Sequence, residues 1–433
     1  MKSYSLIALT LSALLSQAAQ ADLTTSESKL VSHIDQSNPQ ALALLEQVVN
    51  INSGTMNFAG VKQVAEVLIP EFEKLGLQAR FDSGEAFNRA GHLIAEIHGG
   101  KGPKLLLIGH LDTVFEPDSP FQRFERIDEQ TAKGPGIADM KGGNIIILQA
   151  LKALHEAGEL ADMNVMVIMT GDEELSGKPL SLSKKALVDA AEWADISLGF
   201  ENGDGNPKTA NVSRRGSVDW SLEVKGVPSH SSQIFQDRVG AGAIYEAARI
   251  LNSFYEELRS EDLLTFNPGR IMGGTTVKHD PISNSGSTFG KNNVVAESAI
   301  VTGDIRAVSL EQLQRVQEKM RAIVARSLPQ TSGNIEFGDG YPPMGPSDGN
   351  RKLLSLYSQA SEDLGQGKVE AVNPLNAGAA DVSFTAAFVD MAIDGLGMSG
   401  TAGHTVEETG RLDSLPKQAK RAALLMYRLK HQN

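Results

Sequence analysis

Two short apolar runs with a helix-patterned stretch between them constrain this chain more than any other feature. Residues 104–108 and 165–169 are near-continuous apolar runs, and residues 142–155 read as a helix. A strand apolar on both faces must be covered on both. Strand, helix, strand in this order therefore implies an α/β layer with a largely parallel sheet. Residues 196–200 form another apolar run. Helices are predicted for residues 38–50, on Leu42, Leu44, Leu45, Val48 and Val49, and for residues 61–75, with Gly76 as a stop.

From about residue 214 the pattern changes. Residues 217–225 alternate like a half-exposed strand, and residues 241–258 are helical. Residues 269–278 and 294–307 look like strands, 310–327 like a helix, and 334–338 like a last short strand. The order βαββαβ fits a small ferredoxin-like α+β sandwich inserted into the larger domain. The chain then returns with a helix over residues 350–363 and a glycine-rich run. The expected fold class is α/β with two domains. Residues 22–213 and 341–433 build the larger domain, and residues 214–340 build the insert.

Residues 1–21 read as an address. Lys2 gives a positive start, residues 6–15 are an apolar run, and Ala19-Gln20-Ala21 is a small-x-small cleavage site. Cleavage after Ala21 predicts an exported protein, periplasmic or secreted. The alternative is an uncleaved anchor, which Ser16, Gln17 and Gln20 disfavour by breaking the run. No later stretch is apolar enough to span a bilayer, so no membrane partner is expected once the signal is removed. The net charge of −13 argues against nucleic acid and anionic lipid as partners. The chain has no cysteine, so any metal site must use His, Asp and Glu.

In open α/β sheets, sites form beyond the carboxyl ends of the strands. One strand here ends in Gly109-His110-Leu111-Asp112, and the next ends in Thr170-Gly171-Asp172-Glu173-Glu174. Between them lies the glycine-rich loop Gly134-Pro135-Gly136-Ile137-Ala138-Asp139-Met140-Lys141-Gly142-Gly143. Glu201 follows an apolar run, and His404 sits in Gly400-Thr401-Ala402-Gly403-His404-Thr405. Catalytic zinc takes neutral imidazole and carboxylate oxygens, and two neighbouring metals need a bridging carboxylate. His110, Asp139, Glu174, Glu201 and His404 supply such ligands, and Glu173 supplies an unligated general base. Each piece alone has a bland reading. His-x-Asp is commonly a surface or capping pair, adjacent glutamates are commonly a solvated helix face, and Asp139 could cap the helix that follows it. Delivered to successive strand ends, they reinforce one another.

The segments Gly109-His110-Leu111-Asp112-Thr113, residues 134–143 and Asp172-Glu173-Glu174 resemble the signature of the M20 metallopeptidases, and in pattern their glutamate carboxypeptidase branch. The resemblance runs from about Val48 to near the C-terminus. It implies an α/β/α zinc-peptidase catalytic domain, an inserted lid or dimerisation domain, a homodimer and two Zn2+ per subunit. His110 and Glu201 would hold one zinc, Glu174 and His404 the other, and Asp139 would bridge them. Asp112 would fix the His110 tautomer, and Glu173 would be the base and then the proton donor. His230, in Gly226-Val227-Pro228-Ser229-His230-Ser231, matches a histidine that stabilises the oxyanion, often from the partner subunit; taken alone it is a loop histidine. Asn293 and Arg306 match residues that bind the substrate's terminal carboxylate, where a planar guanidinium pairs both oxygens; the bland alternative for Arg306 is a strand ion pair. Lys208 could also approach that carboxylate, although its spacing is off by one.

Three departures bear on the substrate. Met140 stands where related chains carry an acid, Ala377-Gly378-Ala379-Ala380-Asp381-Val382-Ser383 replaces a Gly-Gly-Thr-Asp run, and the last histidine loop differs. All are expected around the substrate pocket. The activity implied is a zinc carboxypeptidase releasing a C-terminal amino acid, glutamate first, from peptidyl or folyl-type substrates with a free carboxylate. The alternatives are an N-acyl amino acid deacylase or dipeptidase with the same metal core, and a non-catalytic periplasmic peptide-binding relative. The unligated Glu173 argues against the last.

Overall fold

The computed structural model describes residues 23–281 and 285–432. The proposed signal segment lies outside them. No helix among the described residues is long and apolar enough to cross a membrane.

The larger domain is built on a six-stranded sheet. Its order is Gln78–Ser83, Gly91–His98, Met163–Thr170, Lys101–His110, Ile196–Gly199 and Met391–Ile393. The last four run parallel, and the first two form an antiparallel edge. Side chains alternate across the central strand as the pleat requires. Leu105 and Leu107 enter the core under the helices Thr25–Val49, Phe58–Glu73, Gly142–Glu156 and Ser414–His431. Leu106 and Ile108 enter the opposite core under Lys185–Trp193. Both faces are covered, which is why these strands read as unbroken apolar runs rather than as alternation.

The first helix starts earlier than its periodicity suggests. It runs Thr25–Val49 with Pro39 inside, where residues 38–50 were expected. A proline inside a helix costs roughly 3 kcal/mol. Leu30, Ile34, Ala41, Leu45, Val48 and Val49 are all buried along it, and each large one is worth about 1.5–3 kcal/mol. Burial outweighs the break. Thr24 and Glu27 close the start as a reciprocal capping box. The C-terminal helix Ser414–His431 was not anticipated.

The insert carries a four-stranded antiparallel sheet in the order Thr265–Gly274, Ser298–Arg306, Val218–Lys225, Ser332–Phe337. The helices Ala243–Leu258 and Leu310–Val324 pack on one face around Trp220, Leu222, Ile250, Phe254, Val301 and Met320. This is the expected βαββαβ order with one correction. The single strand expected over residues 269–278 is two, and the second, Thr276–Asp280, pairs with Ser285–Phe289 as an extra hairpin.

Candidate metal centre

Parallel register brings the site together. His110 pairs with Thr170 and Ile108 with Gly199, so two strands end level, the third ends two residues short of them, and their loops emerge at the same sheet edge. His110 ends one strand, Glu173 and Glu174 follow the second, and Glu201 follows the third. The loop before the Gly142–Glu156 helix adds Asp139, and a loop beside the short Gly400–Thr401 strand adds His404.

These residues form two clusters that share one carboxylate. His110 Nε2 lies 3.2 Å from Asp139 Oδ1 and 3.2 Å from Glu201 Oε1. His404 Nε2 lies 3.1 Å from Asp139 Oδ2 and 3.2 Å from Glu174 Oε2. Tetrahedral zinc, with N and O ligands at about 2.0–2.2 Å, separates its ligand atoms by about 3.3 Å. The spacing and the donor chemistry therefore fit one divalent cation in each cluster, with Asp139 between them. Neither cluster includes Glu173.

The electrostatics agree. Burial alone would lower the His110 pKa, but Glu201, Asp112 and Asp139 together hold it well above the usual value. Hydrogen bonds to Asp139 and Glu174 push His404 up to about 11. Burial, then the Asp139 charge, pushes Glu201 up to about 7. Asp139 is itself held low, because His110 and His404 outweigh its burial. Packed carboxylates thus hold both histidines in their charged form, and cations in the two clusters would offset the same negative charge. Burial, reinforced by Asp381, Glu201 and Glu174, holds Glu173 well above the ordinary carboxylate range.

Asp112 does more than the sequence suggested, and does it differently. The nearest partner of His110 Nδ1 is the Asp112 backbone carbonyl at 3.0 Å, with the Asp112 carboxylate at 3.4 Å. Either acceptor leaves Nε2 facing the ligands. The carboxylate's closer bonds are to the Glu173 and Glu174 amides, both 3.1 Å, and to the Thr55 hydroxyl at 2.7 Å. Asp112 thus fixes the acid loop as well as the histidine. Asp139 does not cap the helix after it; its carboxylate is spent on the two histidines.

The four remaining candidates lie apart from these clusters in their contacts. His230 Nδ1 bonds Ser232, and its backbone bridges Val294, next to Asn293. Arg306 pairs with Asp304 at 2.9 Å, the ion pair that was its bland alternative. Lys208 is exposed on the loop after Glu201. Two of the departures border the candidate ligands: Met140, Asp381 and Val382 line one small cavity with His110 and Glu201. Met140 is 1 % exposed and belongs to the core, and Asp381, Val382 and Ser383 are buried as well. In the 377–383 run only Gly378 and Ala379 reach solvent appreciably.

Several buried groups escaped the sequence reading. Asp381 pairs with Lys184 at 3.0 Å, and Lys184 with Asp172 at 3.1 Å, beneath the acid loop. The Glu408 carboxylate accepts the backbone amides of Gly136, Ala138 and Asp139 at 2.9–3.1 Å and so holds the loop that delivers Asp139. Glu408 lies four residues after His404, beyond the glycine-rich loop that singled out that histidine. Lys184 carries no local signal, and Asp381 stood out only as part of the run that departs from Gly-Gly-Thr-Asp.

A fold with strand-end ligands in two linked clusters defines a metallohydrolase of the α/β/α type. The family model for Peptidase family M20/M25/M40 matches residues 106–428, and the chain belongs to that family. It is 25% identical to carboxypeptidase G2 of Pseudomonas sp. (strain RS-16) over 394 residues, 90% of this chain and 89% of that protein. It is 26% identical over 242 residues to succinyl-diaminopimelate desuccinylase of Xanthomonas oryzae pv. oryzae (strain MAFF 311018), covering 53% of this chain and 60% of that one. The crystal structure of the Bacillus subtilis YXEP protein, a dinuclear metal-binding peptidase, shares the fold. Its TM-score is 0.64 at 17% identity, over 91% of this chain and 98% of that one.

Proposed function

We propose that this protein is an exported zinc carboxypeptidase that hydrolyses the amide bond next to a free carboxylate, with C-terminal glutamate on peptidyl or folyl-type substrates as the first candidate. The observation that carries the reading is Asp139 shared between two histidine–carboxylate clusters, with Glu173 beside them and outside both. Resemblance to carboxypeptidase G2 along 90% of the chain supports the choice of substrate class.

In this reading His110 and Glu201 hold one ion, Glu174 and His404 the other, and Asp139 bridges. Two zinc ions held by these residues would supply Lewis acidity and a water of lowered pKa. Glu173 takes the proton of the attacking water and returns it to the leaving nitrogen. Arg306 and Asn293, with Lys208, hold the free carboxylate. His230 donates to the carbonyl oxygen from the insert of a partner subunit in a homodimer.

A second reading is favoured by the desuccinylase match: an N-acyl amino acid deacylase with the same centre. A panel of glutamate-terminated dipeptides, folyl-glutamate and N-acetyl and N-succinyl amino acids separates them. Release of free glutamate, abolished by a chelator and restored by zinc, is the expected result. Turnover of N-acyl amino acids alone would move the assignment to the deacylase. No turnover of any substrate at full metal loading would remove the enzymatic reading.

A further inference from the structure

Two crossovers join the domains, and they run side by side. Residues 214–217 lead out to the insert and 341–344 lead back. Arg214 and Met344 exchange both backbone hydrogen bonds at 2.9 Å, and Ser217 and Tyr341 exchange theirs at 2.9 and 3.0 Å. Each crossover also grips the metal centre. On the outgoing side, buried Arg214 donates from Nε to Asp394 Oδ2 at 2.6 Å, and Asp394 Oδ1 accepts the Glu201 amide at 3.2 Å. On the returning side, the Tyr341 hydroxyl lies 2.9 Å from the Glu173 carbonyl oxygen, with Asp381 Oδ1 at 3.3 Å and Ser176 Oγ at 3.1 Å. A phenol has one proton to give, and the carbonyl is its closest acceptor. The Ser176 hydroxyl can donate back to the phenol oxygen. The ring is held edge-on to Phe384 at 4.8 Å, with Lys184 Nζ 5.4 Å from its centre.

We propose that Tyr341 is a positioning residue for Glu173. Its hydroxyl fastens the loop that carries the carboxylate to the returning crossover, so the attitude of the insert sets where the carboxylate lies. The inference rests on reading Glu173 as the general base. A side chain follows the peptide it hangs from, and a displacement of about 1 Å in a reacting group is enough to cost on the order of a hundredfold in rate. The domain that brings substrate-binding groups is thereby coupled to the group that moves the proton.

The test is Tyr341→Phe, which keeps the ring and removes the hydroxyl. Ser176→Ala and Glu173→Ala are made beside it. Metal per chain, melting temperature, kcat and KM are measured on whichever compound of the panel the wild type hydrolyses. Tyr341→Phe is expected to keep its full metal content and its KM within about twofold while kcat falls about tenfold or more. Ser176→Ala is expected to stay within about twofold in kcat, because the bond from Tyr341 to the Glu173 carbonyl survives. Wild-type kcat in Tyr341→Phe overturns the proposal. So does loss of metal, which would make Tyr341 a support for the ligands and not for the base. If Glu173→Ala itself keeps wild-type turnover, the fault lies in the base assignment, and the positioning role falls with it.

Discussion

Lys141 shows what one residue costs beside such a centre. Its ammonium is fully buried two residues after Asp139 and donates to the Ile51 carbonyl at 2.9 Å. Burial lowers its pKa from 10.5 to about 7, against the pull of Glu408. The sign follows from linkage. Between pH 7 and 10.5 the unfolded chain keeps a proton that the folded chain sheds, so stability rises with pH across that window. The penalty is fully present below the folded pKa and gone above the unfolded one. Lys141→Met removes the titrating group at similar volume. Thermal melts should therefore show the variant gaining on the wild type as pH falls from 10 to 7. A difference independent of pH would mean that Lys141 stays charged in the fold. His404 is the other telling residue. It holds φ at 63°, a left-handed conformation that is uncommon for a side chain of this kind. Its ring is tied at the other end by Asp139 and Glu174. Such backbone strain persists where the surroundings impose it, as they do at functional sites.

At the scale of elements, the central strand Lys101–His110 carries the site because both its faces are sealed. Leu107 is fully buried between neighbouring strands and the helix layer. Leu107→Ala should cost about 2–5 kcal/mol in denaturant unfolding, through lost transfer energy and the cavity left behind. Thr24→Ala, which opens the capping box at the start of the first helix, should cost only about 1 kcal/mol. Equal losses would show that the strand relaxes to fill its cavity. The same sealing made this strand legible: an apolar run bounded by Gly109-His110 could be read without any tertiary knowledge. The hairpin Thr276–Asp280 and Ser285–Phe289 was not legible, because its strands are largely exposed and polar and present no apolar pattern. Pro39 hid the first half of the first helix, since local propensity there opposes the burial that wins.

At the scale of the molecule, His230, Asn293 and Arg306 sit on the insert, and in their contacts none of them reaches the two clusters of the same chain. If a partner subunit supplies His230, inactive variants should complement. A Glu173→Ala chain mixed with a His230→Ala chain forms mixed dimers with one intact site and one doubly defective site. Subunit exchange at equal amounts should restore about a quarter of wild-type activity. No recovery, with exchange verified, would mean that each chain completes its own site. The strand ends, the five candidate ligand residues and Glu173 could be singled out in the sequence because each lies at the end of an apolar run or in a glycine-rich loop. Those signals are local, set by periodicity and by the backbone freedom of glycine. Only the tertiary structure decided that Asp112 grips the acid loop, that Met140 and Asp381 are buried against His110 and Glu201, and that Glu408, Asp394 and Tyr341 bond the backbone of the loops that carry Asp139, Glu201 and Glu173. Those contacts join residues tens to hundreds of positions apart. They depend on which faces of the sheet and helices meet, and that is settled by packing the whole core at once.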